Sequence, residues 1–201
     1  MNAAISGRRS IRKYKSIPVE RELIEQVLQA GLYAPSSKNR QPWKFIVTSG
    51  QAKKALLGAM QKGLDREKSK EALLPGSRQH LGGAARTLEI MEQAPVVVFV
   101  INPLGIGLYE TLSPEERVYE ICNAQSVGAA IENMSLAAAE LGLGSLWICD
   151  TYFAYRELKD SLNTQGELFA AVALGYADEA PPQRPRKSLE EAAEWRLGET
   201  V

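Results

Sequence analysis

The chain has 201 residues, and its 24 lysines and arginines balance 24 aspartates and glutamates. That length fits one domain or at most two small ones, and it buries roughly 70% of the surface exposed when unfolded, so no disulfide staples are required. Balanced charge argues against a general nucleic-acid binder, and a single histidine, His80, excludes histidine triads and multi-histidine metal sites.

The first segment, "GRRSIRKYKSIP", packs Arg8, Arg9, Arg12, Lys13 and Lys15 ahead of the first acid, Glu20. If extended, it sets Arg8, Ser10 and Arg12 on one face and Arg9 and Ile11 on the other. Leu23, Ile24, Val27, Leu28 and Gly31 then recur at helical spacing, and the stretch from Gly31 to Pro35 ends that helix. "WKFIVTSG" reads as a strand and "QAKKALLGAMQKGL" as a second amphipathic helix with Leu56, Leu57 and Met60 inside. Residues 65–85 are polar, contain glycine and are interrupted by Pro75, which predicts a mobile excursion outside the core. His80 falls there and is expected to face water.

"APVVVFVINP" is an unbroken apolar run, as in a strand buried on both faces. After a loop with Gly105 and Gly107, a long helix is predicted from about Pro114 to Leu141. Its stripe is Val127, Ile131, Met134, Ala138 and Leu141, and much of the remainder is alanine. A helix apolar on most sides is either a core helix of a monomer or one buried against a second subunit. "SLWIC" and "LFAAVALGYA" supply two more strands, and the tail is proline-broken, basic and then briefly helical. No repeat or linker divides residues 1–201, so the expectation is a single α+β domain with helices around a mostly antiparallel sheet.

Three clusters carry candidate chemistry. Arginine presents paired donors and stays charged at any working pH, so "RRSIR" could hold a phosphate monoester, with Ser10 as a short donor; the alternative is a solvated basic face. Each cation 4 Å from a phosphate contributes roughly 4 kcal/mol at an effective dielectric near 20, before desolvation. "APSSKNRQPW" crowds Ser36, Ser37, Asn39 and Gln41 into a helix-to-strand loop, where either function or ordinary turn chemistry explains them. "QRPRK" spaces Arg184 and Arg186 two apart, either as a second grip on an anion or as an exposed tail.

Other signals are negative. No phosphate-loop motif occurs, and "GLGS" at 142–145 is not a dinucleotide fingerprint because Trp147 stands where the third glycine belongs. Cys122 and Cys149 lack CxxC spacing and fit a reducing, cytoplasmic compartment, and no apolar run is long enough to predict a membrane helix. The basic start resembles a mitochondrial transit peptide, but apolar side chains before Ile17 are sparse. No metal site is expected.

Taken in order, "RRSIRKY", "APSSKNRQPWKFIV", "GAAIENMSLAAAELGLGSLWI" and "LGYADEAPPQRPRKSLEE" resemble the blocks of the nitroreductase family of FMN-dependent oxidoreductases, from Arg8 to Glu191. With them the transit-peptide reading recedes. The resemblance implies an intertwined homodimer with FMN at the subunit interface. Arg8, Arg9, Ser10 and Arg12 would hold the flavin phosphate and pyrimidine edge, and Arg184 and Arg186 would return to the phosphate. Ser36, Ser37 and Asn39 would reach in from the partner subunit, and the backbone of Trp147, Ile148 and Cys149 would lie beside the flavin ring.

It also implies hydride transfer from NAD(P)H through FMN to a nitroaromatic, quinone or similar acceptor by a ping-pong mechanism. No protein nucleophile is needed, so Cys149 is expected to serve packing. A polar side chain from a middle helix should meet the flavin edge, with Arg86, Thr87 and Gln125 as candidates. The 65–85 segment and the loop at 104–117 would wall the pocket, where Leu108 and Tyr109 could contact a flat substrate. Alternatives on the same fold are a reductive dehalogenase, a flavin-modifying enzyme or a non-catalytic flavin-binding protein. One departure is Ser188, where many relatives have proline.

Overall fold

A computed structural model describes residues 3–197; the domain expected over 1–201 extends past these at both ends. In chain order the elements are α1 (Ala3–Gly7), α2 (Arg21–Leu32), β1 (Lys44–Thr48), α3 (Gly50–Lys68), α4 (Leu81–Gln93), β2 (Val96–Asn102), α5 (Pro114–Glu140), β3 (Gly144–Ile148), α6 (Tyr155–Leu162), β4 (Glu167–Gly175) and α7 (Leu189–Ala192). The four strands form one sheet in the order β1-β2-β4-β3, and every pair is antiparallel.

β2 explains the layering. Its side chains alternate, and all seven residues are buried. Val97, Phe99 and Ile101 join Leu56, Met60 and Met91 in the core beneath α3 and α4, with α6 adding Leu158. Val96, Val98 and Val100 meet Val27 of α2 and Val127, Ile131 and Met134 of α5 on the opposite face. The sheet is thus sandwiched between two helical layers, which is why the sequence there shows no polar alternation. α5 begins where Ser113 and Glu116 form a reciprocal capping box with Pro114 in the first turn.

The segment expected to be an excursion at 65–85 is mostly ordered into the body. α3 continues to Lys68, a 3-10 turn spans Pro75–His80, and α4 starts at Leu81. The connection is pinned by Glu67, which is 1% exposed and accepts the backbone N–H groups of Leu73 at 2.9 Å and Leu74 at 3.0 Å. Arg66 joins Glu67 to Glu157 of α6, with Nε 2.7 Å from Oε1 of Glu157. Ala84 is fully buried, whereas His80 is exposed as expected.

The N-terminal arm crosses the far edge of the sheet. Ser10 bridges Ser145 of β3 in parallel, and Tyr14 bridges Ala177 beyond β4. Lys15 N–H donates to the Tyr176 carbonyl at 2.9 Å, and Asp178 N–H donates to the Lys13 carbonyl at 2.9 Å. The arm therefore runs beside the strand end from which the C-terminal tail departs.

Candidate cofactor site

That pairing brings the two basic stretches together. Arg8, Arg9, Ser10 and Arg12 line one side of a cavity of about 410 Å³, and Arg184 and Arg186 line the other. No carboxylate lines it. The predicted alternation does not separate Arg9 from its neighbours, because the chain is not extended there. Arg8 N–H still bonds to the Ala4 carbonyl at 2.8 Å as α1 ends, and Arg9 reaches back to the Ser6 carbonyl at 2.8 Å. Strand-like alternation starts only at Ser10, and buried Ile11 then packs over Gly144.

Acids sit behind the cavity and orient it. Glu132 of α5 accepts from Arg8 Nε at 3.1 Å. Glu179 accepts the backbone N–H groups of Arg12 and, at 3.2 Å, Lys13. Arg9 and Arg186 donate only to nearby carbonyl oxygens, leaving further guanidinium donors for an anion.

β3 leads from this cavity to the second predicted group. From Ser145 to Cys149 the chain advances about 13 Å at strand rise. Ile148 is buried, whereas Trp147 and Cys149 are exposed. Trp147 lies over α5 where Gly128 offers no side chain; a Cβ there would sit 3.4 Å from the indole. Although Cys149 is exposed overall, partial desolvation of its sulfur, then the charge of Asp150, pushes the thiol up. A raised thiol is a weaker nucleophile at neutral pH. Asp150 accepts from Thr87 Oγ1 of α4 at 2.5 Å, which brings one of the three open middle-helix candidates to the end of β3, while Arg86 and Gln125 are exposed.

Ser36, Ser37 and Asn39 occupy a separate place beside α5. Ser36 Oγ accepts Gln41 N–H at 3.0 Å, and Ser37 N–H donates to Ser126 Oγ at 3.3 Å. Turn chemistry therefore accounts for part of this cluster. Lys38, Asn39 and Gln41 all have positive φ without being glycine, a density of left-handed backbone that is typical of functional loops. Within one chain none of the three lines the arginine cavity.

A larger cavity, about 970 Å³, lies between residues 16–19, the start of α3 and the start of β2, and contains none of the predicted residues. Lys53 in its wall is engaged with the carbonyls of Glu92 and Ala94. No helix among the described residues is long and apolar enough to cross a membrane.

These features define an α+β protein in which residues 5–12 and 181–186 build an arginine-lined cleft. A model described as the Nitroreductase family matches residues 5–176. A Bacillus subtilis (strain 168) protein, provisionally named NAD(P)H nitroreductase YfhC, is 30% identical over 187 residues, covering 92% of this chain and 88% of its own. The 5,6-dimethylbenzimidazole synthase of Rhodospirillum rubrum is 30% identical over 152 residues, covering 74% of this chain and 68% of its own. The structure of a provisionally named nitroreductase from Desulfovibrio desulfuricans, in complex with FMN, superposes with a TM-score of 0.69 at 26% identity over 97% of this chain and 96% of that one. The chain belongs to the nitroreductase family.

Proposed function

We propose that this chain, acting as one domain over residues 1–201, is a cytoplasmic FMN-dependent oxidoreductase. It takes hydride from NADH or NADPH and passes it to a small quinone, nitroaromatic or similar acceptor, with donor and acceptor using one pocket in turn. The observation that carries this reading is the convergence of five arginines from opposite ends of the sequence on one acid-free cavity.

The donor set fits FMN. A phosphate monoester carries about −1.5 to −2 charge at neutral pH and matches guanidinium geometry. Arg8, Arg9, Ser10, Arg184 and Arg186 would hold that phosphate, and Arg12 would put positive charge toward the pyrimidine edge. The backbone of Trp147, Ile148 and Cys149 would flank the ring, with Thr87 and Asp150 at its border. When bound, FMN supplies the hydride chemistry, and the protein supplies placement and charge. Ser36, Ser37 and Asn39 would reach the flavin of a second copy. Exposed Tyr33, Val118 and Ile121 support a homodimer, because they leave an apolar surface beside α5. The free cysteines Cys122 and Cys149 support a reducing compartment.

Purified protein should be yellow, release FMN on denaturation and oxidise NADH or NADPH only when a quinone or nitroaromatic is supplied. Colourless protein that refuses added FMN would sink the proposal. The dimethylbenzimidazole synthase relative favours one second reading, a flavin-modifying enzyme. Under oxygen, that activity would bleach the bound flavin and yield a benzimidazole product, whereas the oxidoreductase would return FMN intact.

A further inference from the structure

A further cavity, about 390 Å³, lies between the β2–α5 loop, the first turns of α5 and the start of β4. That volume falls within the range of about 300–1,000 Å³ found for small-molecule sites. Three carboxylates line it, from Glu110, Glu120 and Glu167, against one guanidinium, from Arg117.

Its polar groups are incompletely paired. Glu167 is 7% exposed; Lys159 Nζ donates to its Oε1 at 2.5 Å, but its Oε2 has no hydrogen-bond partner. Tyr155, which also lines the cavity, is 4% exposed, and its hydroxyl is equally unpartnered. Polar atoms sealed from water without a partner are destabilising, and a donor entering beside them removes that penalty. Burial pushes the Glu120 and Glu167 carboxyls up. The Leu108 amide opposes this at Glu167, and Asn123 and the Ile106 backbone oppose it at Glu120, while the charges of Glu120 and Glu110 raise Glu167 further. An incoming positive charge would relieve that repulsion. The remaining wall is apolar and aromatic, with Leu168, Phe169 and the Tyr152 and Tyr155 rings. Lys159 already lies 5.5 Å above the Tyr155 ring, so this wall accepts a cation on its face.

We propose that this cavity binds a small organic ammonium compound. Its N–H groups would be taken by Glu167 Oε2, Glu120 and the Tyr155 hydroxyl, and its apolar part would lie against Phe169 and Tyr152. A bare metal ion is a poorer match, since no group of three or more ligating side chains among the described residues is arranged to hold one. The site adjoins the end of β3, because Tyr152 N–H donates to the Cys149 carbonyl at 3.2 Å while the Tyr152 ring lines this cavity.

The test is calorimetric titration of the intact protein with benzylammonium and its neutral isostere, benzyl alcohol. Benzylammonium should bind at least about tenfold more tightly, and E120Q and E167Q should each cut that preference about tenfold. Should E167Q fail to fold for want of its ion pair with Lys159, E120Q decides alone, with its thermal melt as the check on folding. Equal binding of the two probes, no saturable binding of either, or an undiminished preference in well-folded E120Q would overturn the proposal. Failure of this titration in protein that carries FMN would leave the flavin assignment standing, so the two failures are distinguishable.

Discussion

Ser10 bridges Ser145 in parallel, and Ile11 N–H donates to the Ser145 carbonyl at 3.0 Å, so the arginine run is fixed to the start of β3 by main-chain contacts. The close approach requires glycine at 144, where a Cβ would lie 2.8 Å from Ile11 Cγ1 and 2.9 Å from Ile11 Cβ. Gly144→Ala should therefore destabilise the protein by about 1–3 kcal/mol through overpacking. Because the arm carries Arg8, Arg9 and Arg12, FMN affinity should fall with it. Urea midpoints and flavin titrations check this, and Ile11→Ala should restore part of both.

The arginines should not be equivalent. Arg8 is held by Glu132, whereas Arg9 and Arg184 have no acidic partner among the described residues. Arg9→Ala and Arg184→Ala should each weaken FMN binding about tenfold or more, since a charge-assisted hydrogen bond contributes about 1.5–3 kcal/mol. Thermal stability should hardly move. Arg12→Ala should lower affinity and also make flavin reduction harder; an unchanged affinity and midpoint potential would remove Arg12 from the site.

Glu67 should dominate the acid side of the stability profile. Burial pushes its carboxyl up, but the Leu73 and Leu74 amides and Arg66 outweigh that and hold it below the ordinary 4.5. A depressed native pKa gives stabilisation that is complete above the unfolded value and is lost as pH falls through the native one. The urea midpoint should drop as pH falls below 4.5, and Glu67→Gln should start lower and lose less. Glu67→Ala, which leaves Arg66 short of a buried partner, should cost about 3–5 kcal/mol.

Two glycines of α3 should respond in opposite directions. A Cβ at Gly58 meets nothing within 4 Å, so Gly58→Ala should stabilise by about 0.5–1 kcal/mol through helix propensity. At Gly63 it would lie 2.3 Å from Ala154 Cβ and 2.4 Å from Ala154 Cα. Backbone cannot yield as a side chain can, so Gly63→Ala should destabilise by about 1–3 kcal/mol or more. Paired denaturation curves suffice.

The central strand and the long helix were legible because each announces itself locally: β2 by an apolar run, α5 by its Val127–Ile131–Met134 stripe. The meeting of the two arginine stretches could be anticipated only through the order of four family blocks, since neither stretch contains information about the other. α4 escaped notice because Gly82 and Gly83 follow Pro75 closely and read as breakers. Its signal was nevertheless present in Ala84, Leu88 and Met91, spaced by four and three, all buried. α6 hid similarly, with Tyr155 and Leu158 as its only buried residues. Glu67 and Glu167 had no local signature at all. A glutamate that accepts amides six and seven residues onward, or closes a cavity against a distant loop, looks like any solvated acid until the chain is folded.

The docking of residues 10–15 onto β3 and onto residues 176–178 also has a temporal side. The arm is synthesised well before its bridging partners Ser145 and Ala177. During translation, docking of the arm must wait until both of those partners have emerged. The arginine-lined cleft is consequently completed only after β3 and β4 have formed, late in the maturation of the domain.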